Sequence, residues 1–235
     1  MSPEVLALAG AWSLLTDLLV MSLLLGVAIA RWAPPEDLPW TPLRLDQPVG
    51  LATGFKFALA ARDPRQCRLV LREGGLGFVE EPGRVRGACS THNTLRLQGA
   101  QLSPAAPVMT CPEALAYAFW IRHAVQPAAH ANLGEPVVTV EHYGSFACRN
   151  IYGRATGMRS EHAYANALDV SAFRTISGRR VSVLEDFNDQ GARGRFLRRA
   201  RDGACPWFNA VLGPDYNAAH RDHLHLDMGR FAACR

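Results

Sequence analysis

The chain has 235 residues, of which 49% are hydrophobic and 20% charged. That balance excludes a disordered chain, a collagen-like repeat and a polytopic membrane protein. Lys+Arg exceed Asp+Glu by 25 − 21 = 4. Only one of those cations is a lysine, Lys56, and no basic block is interleaved with aromatics, so nucleic acid is not an expected partner.

Val5 to Ala30 is almost continuously apolar, with Asp17 as its only charge. At 1.5 Å per residue such a run crosses a hydrocarbon core about 30 Å thick. Ala28-Ile29-Ala30 also fits an A-x-A cleavage site, but the preceding MSPE carries no Lys or Arg. An uncleaved anchor in the inner membrane is therefore favoured over a cleaved signal for residues 1–32. Arg31 alone would orient the chain toward the cytoplasm. Its weight is small beside Glu36 and Asp37, and the cysteines described below outweigh it.

Residues 33–60, with Pro34, Pro35, Pro39, Pro42 and Pro48, read as a Pro-rich linker. A domain over 61–235 follows. Asp63 is placed to cap a helix that begins at Pro64 and stops at Gly74-Gly75. Thr94 to Gln98 alternates as a short strand. Cys111-Pro112-Glu113 opens a second helix, which Pro127 kinks or ends. Val137 to Glu141 and Ala167 to Phe173 are β-rich, and Ser177-Gly178 turns the latter into Val181-Ser182-Val183. Gly191 to Leu212 reads as a helix broken near Gly203 and Pro206, its arginines on a solvated face and Trp207 and Phe208 in the core. Leu224 to Met228 is the last strand. Helices and strands mix without regular βαβ alternation, so the class is α+β.

Cys67, Cys89, Cys111, Cys148, Cys205 and Cys234 are even in number and contain no C-x-x-C pair. Behind an export-type segment they imply three disulfides in an oxidising space. Fifteen pairings are open; the sequence-neighbour set 67–89, 111–148 and 205–234 is the expectation.

The chemistry concentrates in two patches. The first is Ser160-Glu161-His162-Ala163-Tyr164-Ala165-Asn166-Ala167-Leu168-Asp169, and the second is His220-Arg221-Asp222-His223-Leu224-His225. A metal needs imidazole nitrogens and a carboxylate converging on one point with one position open. On a strand, His223 and His225 project to one face while Leu224 and Leu226 point into the core. One strand thereby offers a ligand and a neighbouring acid/base group.

S-x-H-x-x-A-x-A-x-D in the first patch resembles S-x-H-x-x-G-x-A-x-D of the zinc peptidases. That group includes D-Ala-D-Ala carboxypeptidases and dipeptidases, lysostaphin-type enzymes and hedgehog domains. H-x-x-H-x-H resembles the penicillin-insensitive murein endopeptidases. The wider text, GSFACRNIYGRATGMRSEHAYANALDVSAF with LGPDYNAAHRDHLHLDMGRF, resembles the bacterial extensin-like C-terminal domain family over roughly residues 60–235.

The resemblance implies that His162, Asp169 and His225 hold Zn²⁺ on a small antiparallel sheet flanked by helices. It implies His223 as general base or oxyanion stabiliser, and His220 as a second-layer or substrate-contacting group. Peptidoglycan peptides would be the partner and the periplasm the compartment. Two departures stand out. Ala165 replaces the pattern's Gly, and Gly144 stands where related carboxypeptidases carry an Arg in a YRS-type turn. An arginine for the substrate must then come from Arg149, Arg154 or Arg159, with Arg149 the first choice. Glu161 adjoins a ligand and is expected to point away. The alternative to a peptidase is a zinc-holding, non-catalytic wall module.

Overall fold

The computed structural model describes residues 3–87, 89–99 and 101–235, the side chains of residues 3–14 and of Arg86 excepted. Met1 and Ser2, the start of the MSPE flank, lie outside the described residues. The chain opens with helix α1 (Pro3–Trp32). Within it, Leu15–Trp32 is long and apolar enough to cross a membrane, with a mean hydropathy of 1.7 and none of it buried against the rest of the protein. Its leucines face outward all round, as in a helix made for lipid rather than for a protein core.

Helix α2 (Thr53–Arg62) lies partly in the segment expected to be linker. Proline spacing dominates that segment, but Leu43, Leu45, Phe57 and Ala60 belong to the main core. The order of the domain thus begins before Asp63. Helix α3 (Pro64–Glu73) starts as expected, with the Asp63 carboxylate accepting from the Arg65 and Gln66 amides. Such a cap is worth about 1 kcal/mol.

Strands β1 (Phe78–Glu81), β4 (Thr94–Leu97) and β6 (Met109–Thr110) form a three-stranded antiparallel sheet. Between β1 and β4, β2 (Arg84–Arg86) and β3 (Cys89–Thr91) form a hairpin. Helix α4 (Cys111–Trp120) runs through a π-turn (Ile121–Val125) into helix α5 (Gln126–Leu133). Pro127 therefore does not end the helix. Its ring would clash with the carbonyl four residues back, and the wider π-turn immediately upstream accommodates it. Gly134, at φ +75°, closes the helix.

The main sheet holds β5 (Leu102–Ser103), β7 (Val137–Gly144), β8 (Ala167–Thr175), β9 (Arg180–Ser182), β10 (Ala210–Leu212), β11 (Leu224–Asp227) and β12 (Ala233–Cys234). Their order is β12-β10-β11-β8-β7-β5, with β9 also on β8. The site-bearing strands β7, β8 and β11 are antiparallel, as expected. The outer pairs β5–β7 and β10–β12 are parallel, so the sheet is mixed. Helices α6 (Val183–Asp186) and α7 (Ala192–Asp202) follow β9. The expected helix stops at Asp202, and Ala210–Leu212 is strand β10 instead. A three-residue strand is too short to show a period of two.

One core joins helices and main sheet. Trp120 packs edge-on against Phe173 and Phe208, and its indole N–H donates to the Ala200 carbonyl at 2.7 Å. Trp207 and Phe208 are buried, as expected. The disulfides are Cys67–Cys111, Cys89–Cys148 and Cys205–Cys234. Only the last is the neighbour pair. Helix α3 packs on the start of α4 and brings Cys67 to Cys111, while the β2–β3 hairpin carries Cys89 to the segment after β7. Nearness in sequence decides little, because doubling a closed loop costs only about 0.6 kcal/mol.

Candidate metal centre

Strand pairing brings the two patches together. In the β8–β11 register His225 lies directly opposite Asp169, with Leu224 opposite Val170 and Leu226 opposite Leu168. The four apolar side chains are fully buried on one face. Burying each contributes about 1.5–3 kcal/mol. A one-residue slip would put Asp169 and His225 into that core, so the hydrophobic face fixes the position of the polar pair.

His162 arrives from a different element, the 3-10 turn Glu161–Tyr164. The Ser160 hydroxyl accepts from the His162 amide, and Ala165 closes the turn at φ +57°. That conformation explains the Gly of the resembling pattern, since a Cβ there meets the following carbonyl. Gly144 has a similar reason. It ends β7 at φ +119°, where a side chain such as arginine would be strained.

The three side chains converge. His162 Nε2 lies 3.1 Å from Asp169 Oδ2 and 3.2 Å from His225 Nδ1, and His225 Nδ1 lies 2.9 Å from Asp169 Oδ1. One ligand atom from each falls within 4.8 Å of the others. Donors of a tetrahedral zinc stand roughly 3.4 Å apart, given bonds of about 2.0–2.1 Å. An outward shift of a few tenths of an ångström therefore seats a cation. The donor set of two imidazoles and one carboxylate also suits zinc.

The outer nitrogens of both imidazoles are engaged. His162 Nδ1 bonds the Ser145 carbonyl at 3.1 Å, and His225 Nε2 bonds Asp227 Oδ2 at 2.9 Å. The second oxygen of Asp227 accepts from the Gly229 amide. Such outer bonds aim the ligating nitrogen and raise its basicity. Burial opposes a positive charge on His225, but its hydrogen bonds to Asp169 and Asp227 lift it to about 9. Burial likewise opposes the Asp169 carboxylate, yet hydrogen bonds from His162 and His225 hold it well below its ordinary value. The carboxylates that favour a proton on His225 would also favour a cation, which must displace that proton to bind.

His223 stands beside this centre, its Nε2 3.6 Å from Asp169 Oδ1 and its Nδ1 2.9 Å from Asp222 Oδ1. The Tyr143 ring meets it edge-on at 5.9 Å. His220 is buried, 5.2 Å from the His223 ring and 5.8 Å from the His225 ring, centroid to centroid. Burial, then the nearby His225 and His223, push it down to about 4. Arg149 is exposed on the segment between β7 and the His162 turn, and its charge reaches His220. Arg154 lies over the Tyr152 ring at 5.7 Å, and Arg159 pairs with Asn150 through the backbone. Glu161 points away as expected. It accepts from Asn166 and packs where a Gly229 side chain would be.

Sequence reading had not singled out Ser145, Asn217, Asp222, Asp227 or Glu113. Asp227 shares the strand face of His225 at the same spacing of two that flagged His223. Ser145 acts through its carbonyl, which no side-chain pattern reveals. Glu113, in the first turn of α4, is fully buried, and neither of its oxygens has a hydrogen-bond partner among the described residues. Burial first, then the charge of Asp227, push its pKa well up.

Fold and site define an α+β domain that carries a candidate metal centre behind an apolar N-terminal helix. The three disulfides fit an exported protein. A family model described as Extensin-like protein C-terminus matches residues 65–235, and the chain belongs to that family. No curated protein and no solved structure matches it.

Proposed function

We propose that this domain is a zinc-dependent peptidase, held in the inner membrane by α1. It would face the periplasm and hydrolyse peptide bonds to D-amino acids in peptidoglycan stem peptides or cross-links. The observation that carries the reading is the meeting of His162, Asp169 and His225 in one donor set, with His223 alongside. The likeness of S-x-H-x-x-A-x-A-x-D and H-x-x-H-x-H to the zinc peptidases supports the reaction class, and the disulfides support the compartment.

A zinc ion held by these residues would supply the Lewis acidity that polarises an amide carbonyl and makes water a nucleophile near neutral pH. His223 receives the proton of the attacking water through Nε2 and returns it to the departing amine. Arg149, exposed and with its charge felt at His220, binds a carboxylate of the peptide. Its long side chain takes over the part that an arginine at Gly144 plays in the resembling carboxypeptidases.

Purified sacculi digested with the full-length, zinc-loaded protein should release new muropeptides. His223→Ala should lower the rate on the order of 100-fold or more while leaving the metal bound. Absence of any product from the wild type, or an unchanged rate for His223→Ala, would overturn the proposal.

One observation favours a second reading, a zinc-holding wall-binding module without turnover. Gly144, at φ +119°, closes the place where the carboxypeptidases carry their arginine. That reading expects bound zinc, retention on sacculi and no new muropeptides.

A further inference from the structure

The two histidines beside the metal centre are each bonded through Nδ1, and to different partners. His223 Nδ1 lies 2.9 Å from Asp222 Oδ1. A carboxylate only accepts, so this nitrogen carries the hydrogen. His220 Nδ1 lies 2.8 Å from Asn217 Oδ1. The orientation of that amide is set independently. Its Oδ1 accepts from the Ala219 backbone amide at 3.0 Å, and its Nδ2 donates to the Tyr152 hydroxyl at 3.1 Å. The atom facing His220 is therefore the oxygen, and His220 Nδ1 also carries its hydrogen. In a neutral ring the other nitrogen is then a lone pair.

We propose that Asp222 and Asn217 are positioning residues that lock His223 and His220 in the same tautomer, with Nδ1 protonated and Nε2 presented to the metal centre as an acceptor. The consequence for chemistry rests on the peptidase reading; the tautomers do not. In their neutral forms neither ring donates from Nε2, so both act as acceptors when the water attacks. The partners then divide the labour. Asp222 places a carboxylate behind His223 and stabilises the imidazolium formed when Nε2 takes a proton. Asn217 places a neutral amide behind His220 and gives no such support. In hydrolysis the water oxygen bonds the carbonyl carbon as its proton passes to His223 Nε2. The C–N bond then breaks, and the same proton leaves with the amine nitrogen. Asp222 keeps its Nδ1 hydrogen bond throughout.

The test is a long-range ¹H–¹⁵N correlation spectrum of histidine-labelled, zinc-loaded full-length protein in detergent micelles. The wild type should show His220 and His223 each protonated at Nδ1. Asp222→Leu should release the lock on His223 alone, and Asn217→Leu that on His220 alone, with zinc content unchanged in both. On muropeptide substrates Asp222→Asn should lower kcat on the order of 100-fold at constant KM. Nε2 protonation of either ring in the wild type would overturn the proposal. So would an Asp222→Leu spectrum in which His223 is unaltered. A wild type without hydrolysis defeats the peptidase reading instead and leaves the tautomer measurement to decide this one.

Discussion

Among single residues, Glu113 carries a cost that the rest of the domain must offset. It is fully buried with no hydrogen-bond partner among the described residues, and burial together with Asp227 raises its pKa. In the unfolded chain the same carboxyl ionises above its ordinary value of 4.5. The native state therefore binds more protons than the unfolded state once the pH passes that value. Stability falls as pH rises toward the native pKa. Glu113→Gln removes this dependence while keeping shape. Its urea midpoint, measured with chelator present, should match the wild type at about pH 4 and exceed it at about pH 8. An equal offset at both pH values would show that Glu113 is not held neutral. The placement of Glu113 at the third position of a helix hid it in the sequence, where it reads as an ordinary capping-box acid. Only the fold shows that it faces inward, within reach of the Asp227 charge. The candidate ligand residues were more legible, because H-x-H on a strand and S-x-H before a strand each constrain direction. Asp222 and Asn217 were not, since their roles depend on which ring nitrogen they meet.

At the scale of elements, the site is one strand pair and one tight turn. The facing of His225 could be anticipated from the alternating leucines around it, and the structure sets Asp169 directly across from it. The turn is less comfortable. Ala165 closes it in a left-handed conformation that costs a non-glycine residue about 1–2 kcal/mol. Ala165→Gly should therefore stabilise the protein by roughly 0.5–1 kcal/mol, after allowing for the greater freedom of glycine when unfolded. Chemical denaturation would check this, and a loss of stability would mean that the turn is not left-handed there. Other elements were hidden for simple reasons. Strand β10 has three residues, and β12 and β5 have two each. Such strands exist only because longer neighbours pair with them. Helix α2 was masked by the prolines before it, although Phe57 packs edge-on against Phe119 and Trp207.

For the whole molecule, the disulfides tie distant parts to the site. Cys89–Cys148 fastens the β2–β3 hairpin to the segment that carries both the Ser145 carbonyl and Arg149. Ala147 in that segment donates to the His162 carbonyl at 3.0 Å. The bridge thus braces the backbone that aims His162. Cys205–Cys234 fastens the C-terminal strand β12 beside β10. Sequence alone indicated three bridges and the Cys205–Cys234 pair but not the other two partnerships, because those follow the packing of helices and hairpins. The α1 helix leaves the domain with its apolar surface exposed, which a membrane would cover. The proposed function depends on His162, Asp169 and His225 acting as one ligand set. Elemental analysis of the purified full-length protein and its single variants tests this most directly. About one zinc per chain should remain in the wild type and in His223→Ala, and His162→Ala, Asp169→Ala and His225→Ala should each lose it. A wild type without zinc, or loss of zinc in His223→Ala with retention in His225→Ala, would contradict the account.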